Sequence, residues 1–169
     1  MKAQQLNLIY KPSKEHGGGI RQGKRKIARP LATKKALHVI LRASKARGEK
    51  SFLHRKNKSD IHIILLNTAE RFGIKIFRYE NVGNHIHLVM QGRKRAQIQA
   101  FLRVFPQRVM FHVTKARKGN PQGRFFDFIA YTRVVEWGRE FKIVTNYLWK
   151  NAMQALGFSR DGLLMWRGG

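Results

Sequence analysis

The sequence predicts an α+β domain: a split β-α-β antiparallel sheet with two helices on one face and one further helix at the C-terminal end. Three observations predict it. Segments of strand character and of helical period alternate in the order strand, helix, strand, strand, helix, strand, helix. The second and third strands are joined by the short Gly/Asn turn Asn81-Val82-Gly83-Asn84, so they form a hairpin. The chain has 169 residues, of which 43% are hydrophobic and none is Cys. That is enough apolar material for one core without staples. It also excludes a disulfide framework and any zinc site built on thiolates.

The elements follow in order. Ala36–Arg42 is apolar and β-branched and reads as the first strand. A polar connection, 44–58, leads to a helix that Asp60 is placed to cap. In that helix Ile61, Ile64, Leu65, Ala69 and Phe72 recur at helical spacing, and Gly73 ends it. Ile74–Tyr79 alternates as the second strand and His85–Gln91 as the third. Arg95 to about Lys118 carries Ile98, Phe101, Leu102, Phe105 and Val109 on one helical face, with Pro106 inside the pattern and a kink or break expected there. Residues 115–123 are a basic Gly/Pro loop, and Phe128–Val135 is the fourth strand. Glu140–Leu156 is the last helix, with Phe141, Val144, Leu148, Ala152 and Ala155 toward the core and Gly157 as its stop. This order is the split β-α-β, or ferredoxin-like, arrangement. It leaves one sheet face open, and the last helix is free to cover part of that face. No internal repeat and no second domain are visible.

Charge divides the chain further. Lys and Arg number 35 against 9 Asp and Glu, a formal net charge of +26. Such a surface calls for a polyanion, and nucleic acid is the commonest one. The first 50 residues hold 14 of the Lys/Arg and only two acids, Glu15 and Glu49. Within them lie Gly17-Gly18-Gly19 and the run Lys24-Arg25-Lys26, with no apolar period. Residues 1–34 therefore read as a basic, extended or mobile arm for a phosphate backbone. Residues 35–158 form the folded domain and 159–169 a tail. No apolar run approaches the roughly 20 residues that span a bilayer, and a signal-peptide stretch is missing. The expectation is a soluble intracellular protein.

His85 and His87 are one residue apart on a strand, so both side chains share a face, about 7 Å apart. Ile86, Leu88 and Met90 take the other, helix-packed face. Two imidazoles side by side are half of a site for a divalent metal. On the last helix Tyr147 and Asn151 are one turn apart on one stripe, flanking the apolar face of Leu148 and Ala152. If that flank lies over the open sheet face, Asn151 supplies a third, oxygen ligand and Tyr147 sits beside the metal. A tyrosine hydroxyl there is a competent nucleophile toward a polarised phosphate.

The chain resembles a known family at these residues. Asn84-His85-Ile86-His87-Leu88-Val89 is similar to the HUH motif of the single-tyrosine transposase superfamily. Tyr147-Leu148-Trp149-Lys150-Asn151 is similar to the nucleophile helix of its REP-associated tyrosine transposase branch. The resemblance runs from about Lys35 to Gly157 and takes in His38 on the first strand and the stretch Gly123-Arg124-Phe125-Phe126-Asp127. It implies an enzyme that nicks and rejoins single-stranded, hairpin-forming DNA in the bacterial cytoplasm, at the nucleoid, as a monomer or homodimer. It implies Mg²⁺ or Mn²⁺ held by His85, His87 and Asn151, and attack by Tyr147 to leave a 5′-phosphotyrosine. DNA contacts are then expected from Arg124, Phe126, Arg133 and Trp137, and from Lys24, Arg25 and Lys26 of the arm.

Two other classes compete. A ferredoxin-like RNA- or DNA-binding module without catalysis would place aromatics on the central strands of the open face; here His85 and His87 stand there. A metal-free phosphoesterase would need a second His-x-His or His-x-Thr pair, and the chain has none. Tyr131, on the fourth strand, is the rival nucleophile, with no polar partner four residues away. His38 is read as a strand histidine able to reach the metal site, and Glu140 as a helix N-terminal charge.

Overall fold

The structure, a computed structural model, describes residues 14–23, 27–116, 119, 123–155 and 157. Five strands form one antiparallel sheet: β1 (Glu15–His16), β2 (Ala36–Arg42), β3 (Ile74–Asn81), β4 (His85–Gly92) and β5 (Tyr131–Val135). Their spatial order is β1-β5-β2-β4-β3. Three helices complete it: α1 (Lys58–Arg71), α2 (Arg95–Thr114) and α3 (Arg139–Ala155). The four longer strands carry the predicted split β-α-β order.

Register decides what each face holds. Leu37, Val39 and Leu41 of β2 stand opposite Met90, Leu88 and Ile86 of β4. These side chains, with Ile61 and Leu65 of α1 and Ile98, Phe101, Phe105 and Val109 of α2, make the main buried core. The alternate residues turn the other way. There Ala36, Val89 and Val135 are covered by Val144 and Leu148 of α3, with Phe77 and Phe141 beside them. The second face is therefore capped by the last helix over part of its area, and His38, His85 and His87 share that face.

One irregularity changes which side the later part of β3 faces. Ile76 pairs with Met90 and Arg78 with Val89, so the register slips at Phe77. A bulge of this kind reverses which residues point where. Ile76 faces the main core, whereas Phe77 turns to α3 and meets Phe141 and Trp137 edge-on, at ring-centroid distances of 5.6 and 5.3 Å. Beyond the bulge Tyr79 returns to the main core.

Four expectations need correction. Part of the 1–34 arm is built into the sheet: Glu15 and His16 pair with Arg133 and Thr132 of β5. Gly17 permits this. Its φ is 82°, and a Cβ there would lie 2.2 Å from the Ala130 carbonyl oxygen, so only glycine fits so close an approach. Arg29 ties the same segment down by donating to Ala130 O and Thr132 Oγ1 at 2.7 and 2.8 Å. The α2 helix runs unbroken through Pro106 and stops at Thr114, short of Lys118, where Lys115 takes a left-handed φ of 54°. The fourth strand starts at Tyr131 instead of Phe128: the Ile129 carbonyl accepts from Gly18 N of the leader, and Asp127 N donates to Arg42 O. Finally, Asn57 occupies the N-cap position of α1 and Asp60 lies in its first turn. Lys24, Arg25, Lys26 and the tail 159–169 lie outside the described residues.

Candidate active site

The alternation of β4 delivers His85 and His87 to the α3-side face. Their ring centroids are 4.8 Å apart. Across the sheet, His38 of β2 stacks on His87 with centroids 5.6 Å apart and planes 12° from parallel. His38 Nε2 and His87 Nδ1 are 3.3 Å apart, within hydrogen-bond reach. His85 Nδ1 lies 2.6 Å from Asn84 Oδ1. A carboxamide oxygen only accepts, so His85 carries its proton on Nδ1 and presents a bare Nε2. His87 is 3% exposed and its Nε2 has no hydrogen-bond partner. If His87 Nδ1 donates to His38, its Nε2 is likewise a bare lone pair. Each imidazole then offers one ligating nitrogen, the other being held by a neighbour, as metal-binding histidines are.

The rings are held neutral. Burial, then the His85 and His38 rings beside it, pushes His87 down to about 3. Burial, then Arg133, pushes His38 down to about 4. Burial, then Arg42, lowers His85 as well. Neutral imidazole is the ligating form.

A cavity of about 430 Å³ opens onto these histidines, and Tyr147 of α3 is in its wall together with His85 and His87. Tyr147 is 54% exposed, while its neighbour Leu148 is fully buried against the sheet. The helix is thus anchored by one residue and presents the next to the cavity. Asn151 follows one turn later and is half-buried. It is not among the residues lining the cavity, so the structure joins Tyr147 to the two histidines but not Asn151. Among the described residues, no three His, Cys, Asp or Glu side chains converge as a metal site. A metal on His85 and His87 would therefore need a third donor of another kind, such as a carboxamide oxygen.

Tyr131 lines the same cavity and meets His38 edge-on, with centroids 6.3 Å apart. Burial first, and then the Glu15 carboxylate, raise its phenol to about 12.

The expected DNA contacts divide. Arg124 is exposed, donates to the Phe126 and Asp127 carbonyls and lies over the Phe128 ring. Phe126 is half-buried and packs on Phe52 and Phe125, so most of its ring is core. Arg133 is bound by Glu140 at 2.6 Å and Glu15 at 3.8 Å. Glu140 also accepts from Glu136 N at the start of α3, at 2.8 Å, and so serves the helix end as expected. Trp137 donates to Lys34 O and packs on Phe77 and Phe141.

Two parts of the cavity wall escaped the sequence reading. Gly18 and Gly19 reach it through the docking of the leader, and Arg42 reaches it from the end of β2. Arg42 had a signal: it shares parity with His38 on its strand, and it pairs with His85 in register. The glycines had none beyond their clustering.

No family model matches the chain, and no curated protein matches it. Among solved structures, a chain from Deinococcus radiodurans R1 described as a "putative transposase" is similar over 75% of this chain and 98% of that chain, at 12% sequence identity and a TM-score of 0.44. No helix among the described residues is long and apolar enough to cross a membrane.

Proposed function

We propose that this protein cuts and rejoins single-stranded DNA through a covalent bond to Tyr147, as a metal-dependent transposase-like enzyme of the HUH single-tyrosine kind. The observation that carries the reading is the shared cavity: Tyr147 from α3 and the His85/His87 pair from β4 face one space. The orphaned Nε2 of His87 supports a metal ligand there, and the neutral state of both rings fits that task. His85 and His87 would hold Mg²⁺ or Mn²⁺, with Asn151, one turn beyond Tyr147 on α3, as the proposed oxygen donor. The bound ion supplies Lewis-acid polarisation of a phosphate oxygen.

The protein's own groups account for the rest. Tyr147 Oη attacks phosphorus and loses its proton. The bond from phosphorus to the 3′ oxygen breaks, and that oxygen takes up a proton. The products are a 5′-phosphotyrosine and a free 3′-hydroxyl. A second 3′-hydroxyl reverses the step on a new strand, so joining needs no external energy source. Arg42 at the cavity wall offers positive charge to the phosphate, and Arg124, beyond it, to the strand. The preference for a hairpin, and the branch resemblance, rest on the Tyr147–Asn151 helix and the Asn84–Val89 strand.

A binding module without catalysis fits less well. Such a module works with an open sheet face, whereas Leu148 and Val144 cover Ala36, Val89 and Val135. The test is a denaturing gel after incubation with hairpin-bearing single-stranded DNA and Mn²⁺. The expected result is a protein–DNA adduct that is absent with EDTA and absent in Tyr147→Phe. Undiminished adduct in Tyr147→Phe would sink the assignment.

A further inference from the structure

A second cavity, of about 530 Å³, lies between α2 and the segment that precedes β5. Arg29, Arg124 and Phe126, described above, are among the residues that line it. Its floor is apolar, made by Leu41, Leu102, Pro106 and Phe126, and its polar groups are Gln99 and three arginines, Arg29, Arg103 and Arg124. No carboxylate among the described residues lines it. Arg103 is exposed and has no ion-pair partner among the described residues. The volume falls in the range of roughly 300–1,000 Å³ typical of small-ligand sites.

Two features identify the occupant. First, Phe128 and Ile129 line this cavity and also the one that holds His85, His87 and Tyr147. Phe128 is 37% exposed and Ile129 is 60% exposed. They form a ridge between the two spaces, at the point where the chain has left the sheet before β5. A strand presented at the histidines reaches the second space by crossing this ridge. Second, the Arg124 guanidinium sits 5.7 Å from the Phe128 ring centroid. An aromatic ring with an arginine over it, above an apolar floor and beneath a cationic rim, suits a flat, uncharged heterocycle attached to a phosphate.

We propose that this cleft is a subsite for an unpaired base of the DNA strand, with the adjoining phosphates on Arg103 and Arg124. The proposal rests on the reading of Tyr147 and the histidine pair as the cutting site and adds a place where the neighbouring strand is gripped. The α2 helix thereby takes part in binding through Gln99 and Arg103.

The test uses the full chain with Tyr147→Phe, so that the strand binds without reacting. The probe is single-stranded DNA in which thymine is replaced by photoreactive 5-iodouracil. Irradiation is expected to crosslink the peptide spanning Phe126 and Phe128. Gln99→Trp fills the cleft from an exposed helix position. It should abolish that crosslink and weaken binding about tenfold, within the range that stacking of one base supplies. Arg103→Glu should weaken binding at least as much. Crosslinks confined to other segments, with Gln99→Trp binding like its parent, overturn the subsite. So does full competition by thymidine monophosphate at the concentration of the strand, which would mark a free-nucleotide site. Adduct formation by the wild type separates the two readings. An adduct with an unaffected Gln99→Trp removes the subsite alone, and a cleft-dependent crosslink without any adduct removes the cutting reading alone.

Discussion

Replacing His38 by Phe tests the histidine arrangement most directly. The change keeps a ring at this position of β2 but removes the nitrogen 3.3 Å from His87 Nδ1. His87 is buried, so its Nδ1–H would be left without an acceptor. A buried polar group deprived of its partner costs about 1–3 kcal/mol. The larger consequence concerns which nitrogen of His87 carries the proton. With His38 as acceptor, the proton sits on Nδ1 and Nε2 is free. Without it, the proton can move to Nε2 and block the ligating position. Loss of such a supporting partner lowers metal affinity about 10–100-fold, which is roughly 1.4–2.7 kcal/mol. Calorimetric titration with Mn²⁺ near neutral pH measures this, and nitrogen NMR of His87 reports the tautomer independently of catalysis. His38→Gln, whose side-chain oxygen can accept, should recover part of the affinity. Equal Mn²⁺ affinity in wild type, His38→Phe and His38→Gln, alongside a clear loss in His87→Ala, would refute the tautomer argument.

Other predictions follow from the same geometry. His38 and His87, held at about 4 and about 3 against an ordinary 6.5, bind fewer protons folded than unfolded as pH falls below 6.5. Each should cost up to about 1.4 kcal/mol of stability per pH unit through that window. Urea unfolding between neutral and mildly acidic pH should show this slope, and His38→Phe should flatten it. Tyr131→Phe should keep the covalent adduct that Tyr147→Phe loses on the same gel; loss of adduct in Tyr131→Phe instead would reverse the assignment of the nucleophile. Leu148→Ala empties a fully buried site and should cost about 2–5 kcal/mol, with adduct yield falling because α3 carries Tyr147. Gly17→Ala forces a Cβ against the Ala130 carbonyl and should release the leader from β5, read as new protease sensitivity near residue 20.

Much of this was legible in the residues because regular elements announce their faces. The period of two put His85 and His87 on one side of β4, and Ile86, Leu88 and Met90 on the other, as register bears out. Helical spacing separated Val144 and Leu148 from Tyr147. What could not be read is what irregular backbone does. The Gly17–Gly19 run looks like a flexible arm in sequence because it lacks apolar period. Its role depends on the absence of a Cβ beside Ala130, a contact with residues more than 100 positions away. The Phe77 bulge is equally silent: alternation alone would have sent Tyr79 to the same side as Phe77, whereas it packs against the main core. The Phe128–Ala130 stretch has strand composition, yet its Ile129 carbonyl is taken by the leader.

The distribution of the few acids refines the meaning of a +26 charge. Glu15 and Glu140 hold Arg133, Asp127 holds Arg42, and Glu136 holds Lys14 and Lys35. Three of these four cations, Arg133, Arg42 and Lys35, belong to β2, β5 or their immediate flank. Most of the pairs are partly exposed and so contribute little to stability. Their effect is on direction: the guanidiniums of Arg42 and Arg133 are aimed by carboxylates, and Arg42 is aimed at the cavity wall. Arg103, at the second cavity, has no such partner among the described residues. A phosphate arriving there meets an unopposed cation, whereas one at the histidines meets a positioned one. Long-range attraction by the whole surface brings the strand in, and it weakens as salt rises. Placement of one phosphodiester at Tyr147 falls to the few cations whose geometry the acids hold. Raising salt should therefore lower strand affinity steeply while leaving the fraction of bound strand that reacts nearly constant.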